Sequence, residues 1–295
     1  MLDDARFRSL VDDRARHPGR IAELARARRR RPMLREEGTL FLVAADHPAR
    51  GVLKAGDRPL AMADRRSLLE RILIALADPG VDGILGSPDV VEDLLLLDAL
   101  HDRIVIGSMN RGGLAGSAWE LDDRFTAYDA ESIESMGLDG GKMLIRFDYA
   151  DPGTIATIAS SAAAVSALAR RRLVALVEVL PAMRDSGGTL RIPKEPDALI
   201  AAMSVGASLG CSSAYTWLKV PVVPEMERVM ASTMLPTLLL GGDPGDRVAE
   251  VFAGWRRALA IPQVRGLVAG RTLLFPPDDD VARSVAEAAA IVHGR

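Results

Sequence analysis

Residues 141–179 read GKMLIRFDYADPGTIATIASSAAAVSALARRRLVALVEV, and this stretch decides the fold. Its two ends, GKMLIRF (141–147) and LVALVEV (173–179), are apolar runs of strand length, and the segment between them predicts a helix that begins near Pro152. A strand, a helix and a second strand in this order are typical of two parallel strands joined by a crossover helix. The stretch therefore predicts one β/α unit of a parallel sheet.

The same alternation occurs eight times along the chain. The other predicted strands are TLFLVAA (39–45), GILG (83–86), RIVIGS (103–108), YTWLKV (215–220), TLLLG (237–241) and GLVAG (266–270). No Pro/Gly-rich linker divides the repeats, so they predict an α/β fold with a single (β/α)8 TIM barrel at 39–295, preceded by an N-terminal helical extension at 1–38. A doubly wound open sheet is the alternative. No GxGxxG or GxxxxGK[ST] motif follows the first strand, so the usual nucleotide-binding signatures are missing.

Composition and charge limit the classes of partner. The chain has 295 residues with 37 Lys and Arg against 40 Asp and Glu, a net charge of −3, so we expect no nucleic-acid or membrane partner. The arginine run ARARRRRP (25–32) is interpreted as the solvent-exposed end of a surface helix. A single cysteine, Cys211, and an N-terminus without a continuous apolar stretch indicate a cytoplasmic protein.

Four ionisable residues interrupt or close the apolar strands. Asp46 closes the first strand, Lys142 opens the fourth, and Glu178 and Lys219 lie inside the fifth and the sixth. Because uncompensated burial of such groups is costly, and because function in this fold lies at the carboxyl ends of the strands, we expect them to meet at the barrel mouth. A buried salt-bridge network that only stabilises the barrel interior is the alternative.

Their chemistry suits a carbonyl substrate. A lysine attacks a ketone only as the neutral amine, and an apolar setting with a second ammonium nearby lowers an amine's pKa. We therefore assign Lys219 as the nucleophile and Lys142 as the second positive charge. Glu178 is the candidate acid/base for loss of water from the carbinolamine, and Asp46 the candidate base for carbon–carbon cleavage.

Two glycine-containing stretches, LLLGGDPGDR (238–247) and VAGRTLL (268–274), follow the seventh and eighth strands. Barrels frequently bind a phosphate in these loops through backbone N–H groups. The residues assigned to phosphate binding are Gly241, Gly242, Gly270 and Arg271. The alternative is that the glycines only permit tight turns.

These motifs, in this order along the chain, resemble the class I (Schiff-base) aldolases of the (β/α)8 superfamily, which include fructose-bisphosphate, tagatose-bisphosphate and sulfofructose-phosphate aldolases. The resemblance spans about residues 39–275 and lies in the Asp that ends strand one, GGKML (140–144), VEVLP (177–181) and the Leu-Lys-x-Pro context of Lys219. It implies that Asp46, Lys142, Glu178 and Lys219 are catalytic. It also implies a small phosphorylated sugar substrate and no cofactor. The loop DHPARG (46–51) departs from the family's usual DQR or DHG.

Within the superfamily the chain is most similar to barrel proteins linked to inositol catabolism. That similarity implies cleavage of 5-dehydro-2-deoxy-6-phosphogluconate to dihydroxyacetone phosphate and malonate semialdehyde. Arg184 and Arg191, which flank a loop after strand five, are candidates to receive the substrate carboxylate, and a solvated loop is the alternative. We also expect a homo-oligomer.

Other functions stay open at this point. In a phosphosugar isomerase or epimerase, Glu178 and Asp46 would exchange protons and Lys219 would act only through its charge. A non-catalytic barrel that binds a phosphosugar is a further alternative. Of the four histidines only His47 lies at a strand end, so no metal site is expected. His47 either supports Asp46 structurally or transfers protons.

Overall fold

Eight parallel strands close into a barrel in the computed structural model of the chain, which describes residues 2–110, 113–242, 245 and 247–294. The strands are β1 (Leu40–Ala44), β2 (Gly83–Gly86), β3 (Ile104–Ser108), β4 (Gly140–Phe147), β5 (Val174–Pro181), β6 (Thr216–Val220), β7 (Thr237–Leu240) and β8 (Val264–Ala269). Each strand pairs with its neighbour in sequence, and β8 pairs with β1. The predicted (β/α)8 TIM barrel is confirmed, and the alternative of an open sheet is wrong.

Helices follow most of the strands and cover the outside of the barrel. The described helices are α1 (Asp4–Arg16), α2 (Gly19–Ala27), α3 (Arg65–Ala77), α4 (Pro88–Leu96), α5 (Ala130–Ser135), α6 (Gly153–Arg170), α7 (Pro196–Ala207), α8 (Met226–Met230), α9 (Val248–Ala258), α10 (Arg271–Leu274) and α11 (Val281–His293). A short 3-10 turn, Pro48–Arg50, follows β1, and residues 183–184 pair with 190–191 in a small antiparallel ribbon after β5. None of the helices in the described ranges has the length and apolar character of a membrane span.

Apolar side chains form two layers, one inside the barrel and one between the strands and the helices. The inner layer includes Leu42, Ile106, Leu176, Leu238 and Val268, all nearly inaccessible to solvent. The outer layer is larger because every strand also buries its other face against a helix. Because both layers are filled, the barrel has a packed interior and not an open pore. Space for a polar site is therefore left at its carboxyl end.

One glycine of β8 permits a close approach of the backbone. Gly266 has φ +144°, and a Cβ there would lie 1.8 Å from the carbonyl oxygen of Leu40 on β1. The register between β7 and β8 shifts between Val264 and Gly266, which marks a β-bulge. A side chain at position 266 would therefore push β8 away from β1 at the seam where the barrel closes.

The N-terminal segment lies against the amino end of the barrel. Helices α1 and α2 contact α4, and Met33 and Leu34 pack on the inner apolar layer from below. This end of the barrel is opposite to the carboxyl ends of the strands. The segment therefore belongs to the structural side of the barrel and not to its mouth.

The arginine run at 25–32 is solvated only in part, and that interpretation is wrong for Arg28 and Arg31, whose side chains are 1% and 20% exposed. Arg28 and Arg30 form ion pairs with the buried Asp139 at 3.2 and 2.9 Å, and Arg31 pairs with the fully buried Asp82 at 2.6 Å. These two aspartates stand immediately before β4 and β2. The run therefore neutralises carboxylates beneath the barrel strands.

Candidate active site

Two ammonium groups share one carboxylate at the carboxyl end of the barrel. The Lys142 Nζ contacts Glu178 Oε2, and the Lys219 Nζ lies 3.1 Å from Glu178 Oε1. All three side chains are buried, with at most 9% of any residue exposed. The structure therefore brings together the two amines and the central acid that the sequence indicated.

Strand register explains how residues from different strands reach the same point. Glu178 on β5 stands beside Lys219 on β6, whereas Lys142 on β4 stands beside Leu176, two residues below Glu178. Side chains two apart on a strand point to the same face, so Lys142 also points into the barrel. Its four-carbon stem carries the ammonium upward to the level of Glu178.

Asp46 completes the cluster from the end of β1. Its Oδ2 lies 3.3 Å from the Lys142 Nζ and accepts a hydrogen bond of 3.1 Å from the Ser108 hydroxyl. Ser108 is level with Lys142 in the β3–β4 register. The Lys142 ammonium thus contacts both Asp46 and Glu178, and Glu178 also contacts Lys219. The four predicted charged residues form one connected network.

The charges of the cluster act on its titratable groups. Burial by itself would raise the pKa of Glu178, but the Lys142 and Lys219 ammonium groups in contact with it hold that pKa well below its usual value. Burial, with Arg271 and Lys219 nearby, lowers the pKa of His47 well below its usual value. Glu178 is therefore a carboxylate and His47 a neutral imidazole at physiological pH.

A cavity of about 630 Å³ opens above this cluster. Its lining includes Asp46, Lys142, Glu178, Lys219, Gly241, Gly242, Gly270 and Arg271. All eight residues predicted for catalysis or phosphate binding thus face one space. Its size suits a small organic ligand.

The predicted phosphate-binding residues lie on the side of the cavity formed by β7 and β8. Gly241 and Gly242 directly follow β7, while Gly270 and Arg271 directly follow β8. A Cβ at Gly270 would lie 2.3 Å from the Ala44 carbonyl oxygen and 2.8 Å from His47 Cε1, so packing also requires this glycine. Asp243, Pro244 and Asp246 of the same loop lie outside the described residues.

Comparison with known proteins identifies the family. Residues 38–289 match the model of the Cgl0159-like family. The chain belongs to the Cgl0159-like family. The crystal structure of Cgl0159 from Corynebacterium glutamicum (Brevibacterium flavum) is 48% identical, covers 99% of this chain and 98% of its own, and superposes with a TM-score of 0.96. Comparison with curated protein sequences gives no match.

More distant structures share the barrel. A crystal structure of an archaeal fructose 1,6-bisphosphate aldolase is 16% identical, covers 93% of this chain and 100% of its own, and has a TM-score of 0.64. An archaeal fructose-1,6-bisphosphate aldolase with its catalytic Lys covalently bound to the carbinolamine intermediate gives the same identity and coverage with a TM-score of 0.65. At this identity the likeness establishes a common fold.

Two predicted carboxylate ligands do not reach the cavity of this Cgl0159-like chain. Arg191 is exposed and pairs with Asp185 at 2.9 Å, while Arg184 lies 3.8 Å from Asp151 and donates to the Gly188 carbonyl oxygen. Neither lines the cavity. Instead, the ribbon presents Thr189, Leu190 and Ile192 to it.

Other charged groups of the Cgl0159-like site were not anticipated from the sequence. Arg50, Glu120 and Arg146 also line the cavity. Arg146 lies two residues after Leu144 and four after Lys142 in β4, so its side chain points to the same face as that of Lys142. A charged residue at this position of an apolar strand could have been predicted to line the site. Arg50 and Glu120 lie in loops, where no periodicity marks a side chain as inward-facing. Among the described residues, no group of three or more His, Cys, Asp or Glu is arranged to hold a metal ion.

Proposed function

We propose that the chain is a class I aldolase that cleaves a phosphorylated keto-sugar or keto-sugar acid through an imine on Lys219. One observation carries the proposal: the Lys219 amine contacts the Glu178 carboxylate inside a cavity at the carboxyl end of the barrel. An amine becomes a nucleophile when an adjacent base removes its proton. Glu178 Oε1, at 3.1 Å, is positioned to be that base.

Formation of the imine needs one proton to move twice. Glu178 is ionised in the resting site, so it first accepts the proton that Lys219 must lose. The neutral amine adds to the substrate carbonyl carbon, and a carbinolamine results. Glu178 then returns the proton to the carbinolamine hydroxyl, which leaves as water, and the nitrogen forms an iminium. Lys142, bonded to the other carboxylate oxygen, keeps Glu178 oriented.

Cleavage then requires a base for the hydroxyl on the carbon beyond the bond that breaks. Asp46, buried and held by Lys142 and Ser108, is assigned this role. As Asp46 takes the hydroxyl proton, the oxygen forms a carbonyl and the carbon–carbon bond breaks, with its electron pair passing into the iminium. The aldehyde product leaves, and the remaining enamine is protonated and hydrolysed to release the ketone.

The β7–β8 side of the cavity supports a phosphorylated substrate. Gly241, Gly242, Gly270 and Arg271 offer backbone N–H groups and one guanidinium to a phosphate, in the loops where barrels frequently bind this group. A narrower hypothesis is cleavage of 5-dehydro-2-deoxy-6-phosphogluconate to dihydroxyacetone phosphate and malonate semialdehyde. The covalently trapped lysine of the archaeal aldolase supports the reaction class, and not this substrate.

Borohydride trapping with dihydroxyacetone phosphate tests the proposal directly. The chain contains only four lysines, Lys54, Lys142, Lys194 and Lys219, so mass spectrometry assigns a reduced adduct without ambiguity. We expect the adduct on Lys219. Lys219→Ala should abolish it and lower kcat by ~10³-fold or more. Lys194→Ala, at an exposed position, is the matched control and should change neither.

The alternative outcomes are distinct. An adduct on Lys142 would overturn the assignment of the nucleophile. Interconversion of phosphorylated sugars without cleavage and without an adduct would indicate an isomerase or epimerase. Binding of a phosphorylated sugar without adduct or turnover, unchanged in Lys219→Ala, would indicate a non-catalytic barrel.

A further inference from the structure

A buried arginine in the cavity wall holds a hydrogen-bond donor that no described residue accepts. Arg50 is 6% exposed and lines the cavity. Its one ion pair joins Nη1 to Asp123 Oδ1 at 3.3 Å, and its Nε is buried with no hydrogen-bond partner in the described part of the chain. A guanidinium carries five N–H donors, and burying them without acceptors is costly.

A second arginine fixes the position of the first. Arg146 binds both oxygens of Asp123 at 3.0 Å and also contacts Glu120. Asp123 is fully buried, so this bidentate pair holds it rigidly. The carboxylate of Asp123 in turn orients Arg50. The Nε, Nη1 and Nη2 of Arg146 all have acceptors, whereas the Arg50 Nε has none among the described residues and is available to a ligand.

This arginine pair faces the predicted phosphate site across the barrel. Arg146 belongs to β4, and Arg271 follows β8, four strands away in the closed ring of eight. Although Arg50 follows β1, its Nη1 and the Arg146 Nη2 contact the same oxygen, Asp123 Oδ1, which places the Arg50 guanidinium beside β4. Glu178 on β5 and Lys219 on β6 lie on strands between β4 and β8 in the ring.

We propose that Arg50 binds a carboxylate at the end of the substrate opposite the phosphate, which makes the substrate a phosphorylated keto acid. This inference rests on the proposed function and narrows its substrate class. The two arginines and their two acidic partners already balance, so a group with one negative charge fits better than a doubly charged phosphate. The geometry of a guanidinium also matches the two oxygens of a carboxylate.

Calorimetry with three unreactive polyol phosphates tests this assignment without requiring turnover. 6-Phosphogluconate and glucitol 6-phosphate differ only in carrying a carboxylate or a hydroxymethyl group at carbon 1, and glucitol 1,6-bisphosphate carries a phosphate there. We expect the native protein to bind 6-phosphogluconate roughly tenfold or more tightly than glucitol 6-phosphate, as one charged hydrogen bond would give. We expect glucitol 1,6-bisphosphate to exceed glucitol 6-phosphate in affinity by a smaller factor than 6-phosphogluconate does.

Substitution of Arg50 should remove that preference. In Arg50→Gln the ratio of the two affinities should fall to near one, while the affinity for glucitol 6-phosphate, which also reports an intact fold, stays unchanged. Arg50→Lys should keep part of the ratio, and the exposed Arg191→Gln is the matched control that should keep all of it.

Three results would overturn the inference. They are a ratio near one in the native protein, a ratio that survives in Arg50→Gln, and a larger gain for the bisphosphate than for 6-phosphogluconate. If the native protein formed no borohydride adduct, the result would count against the aldolase mechanism. The ratios of binding affinities are measured independently and would not change. Failure of the substrate assignment and failure of the proposed function are thus separable.

Discussion

At the scale of single residues, Glu178 is the group on which the site depends. It contacts both the Lys142 and the Lys219 amine. Its charge is maintained by Lys142 and Lys219 against the cost of burial. A neutral side chain of the same shape at this position would leave two buried ammonium groups without their shared counter-ion.

We expect Glu178→Gln to lower kcat by ~10²- to 10⁴-fold, because glutamine cannot carry the proton between Lys219 and the carbinolamine hydroxyl. Steady-state turnover measures the loss, and the rate of adduct formation with dihydroxyacetone phosphate locates it at the imine step. Glu134→Gln, which changes an exposed glutamate paired with Arg171, is the control and should leave turnover unchanged. Native turnover in Glu178→Gln would contradict the assigned role.

The stability that Glu178 contributes should depend on pH, and Glu178→Gln allows it to be measured. The pKa of Glu178 is lowered in the folded protein, so its contribution to stability is complete above the ordinary glutamate pKa and is lost only as pH falls through the lowered value. The difference in free energy of unfolding between the native protein and Glu178→Gln should stay constant from neutral pH to about pH 5 and shrink under stronger acid. Urea titrations at a series of pH values measure it, and a difference already lost by pH 5 would show that the pKa is not lowered.

Residues of the site differ in how visible they are in the sequence. Asp46, Lys142, Glu178 and Lys219 interrupt apolar strands, and that contrast alone was enough to place them together. Arg50 gave no such signal, because it follows β1 in a loop and its partner Asp123 belongs to another loop. For Arg184 and Arg191 the sequence left a carboxylate site and a solvated loop both open for the same reason, since a loop's direction is not encoded in a local repeat.

At the scale of elements, the ends of the strands are fixed by buried aspartates. Asp82 precedes β2 and has no exposed surface; Arg31 and Arg35 contact its Oδ1 at 2.6 and 2.5 Å, and the Phe41 N–H of β1 donates to its Oδ2 at 2.7 Å. This carboxylate therefore ties two strands to the N-terminal segment.

Asp82→Asn should destabilise the fold by ~3–5 kcal/mol, because it leaves two arginines beside a neutral group in a buried site. Asparagine can still accept the hydrogen bond from Phe41, so the effect reports the charge. Urea denaturation should show a lower midpoint with an unchanged slope. Asp102→Asn, which breaks an exposed pair with Arg29 of the same arginine run, is the matched control and should change the midpoint little. Equal midpoint shifts in the two variants would contradict this role.

All eight barrel strands were predicted within two residues of their observed ends, since each is an apolar run of regular spacing. The ribbon after β5 was missed because pairings of two residues leave no pattern. The interpretation of the arginine run was wrong for Arg31 and Arg28 because their acidic partners lie 51 and 111 positions away in sequence. Local periodicity thus determines the strands, whereas long-range ion pairs appear only once the barrel is closed.

At the scale of the whole molecule, charge is unevenly distributed. The chain carries a net charge of −3, yet five cationic and three anionic side chains line the described cavity. When all are ionised, the lining side chains sum to +2, and Asp123, which contacts Arg50 and Arg146, reduces the local excess to +1 inside a negative protein. Such a contrast draws small anions toward the mouth and repels them from the rest of the surface.

We expect the affinity for dihydroxyacetone phosphate to fall several-fold as ionic strength rises from ~0.01 to ~0.15 M, because the Debye length shortens from about 30 to about 8 Å. Calorimetry in a graded series of sodium chloride concentrations measures the slope. Arg271→Gln should bind more weakly and show a shallower slope, since it removes one cavity charge. An affinity independent of salt would contradict electrostatic attraction by the cavity.

The position of β4 opposite β8 has a further consequence for selectivity. The diameter of a closed sheet is set by its number of strands and their stagger, so it hardly varies between related sequences. On the proposed binding of a carboxylate by Arg50 and of a phosphate by Arg271, with Lys219 as the nucleophile, the distance between the two arginines sets the length of substrate that can bind both. A shorter ligand would contact only one of the two arginines, and a longer one would fit only in a bent conformation. The length of the ligand would therefore contribute to substrate selection.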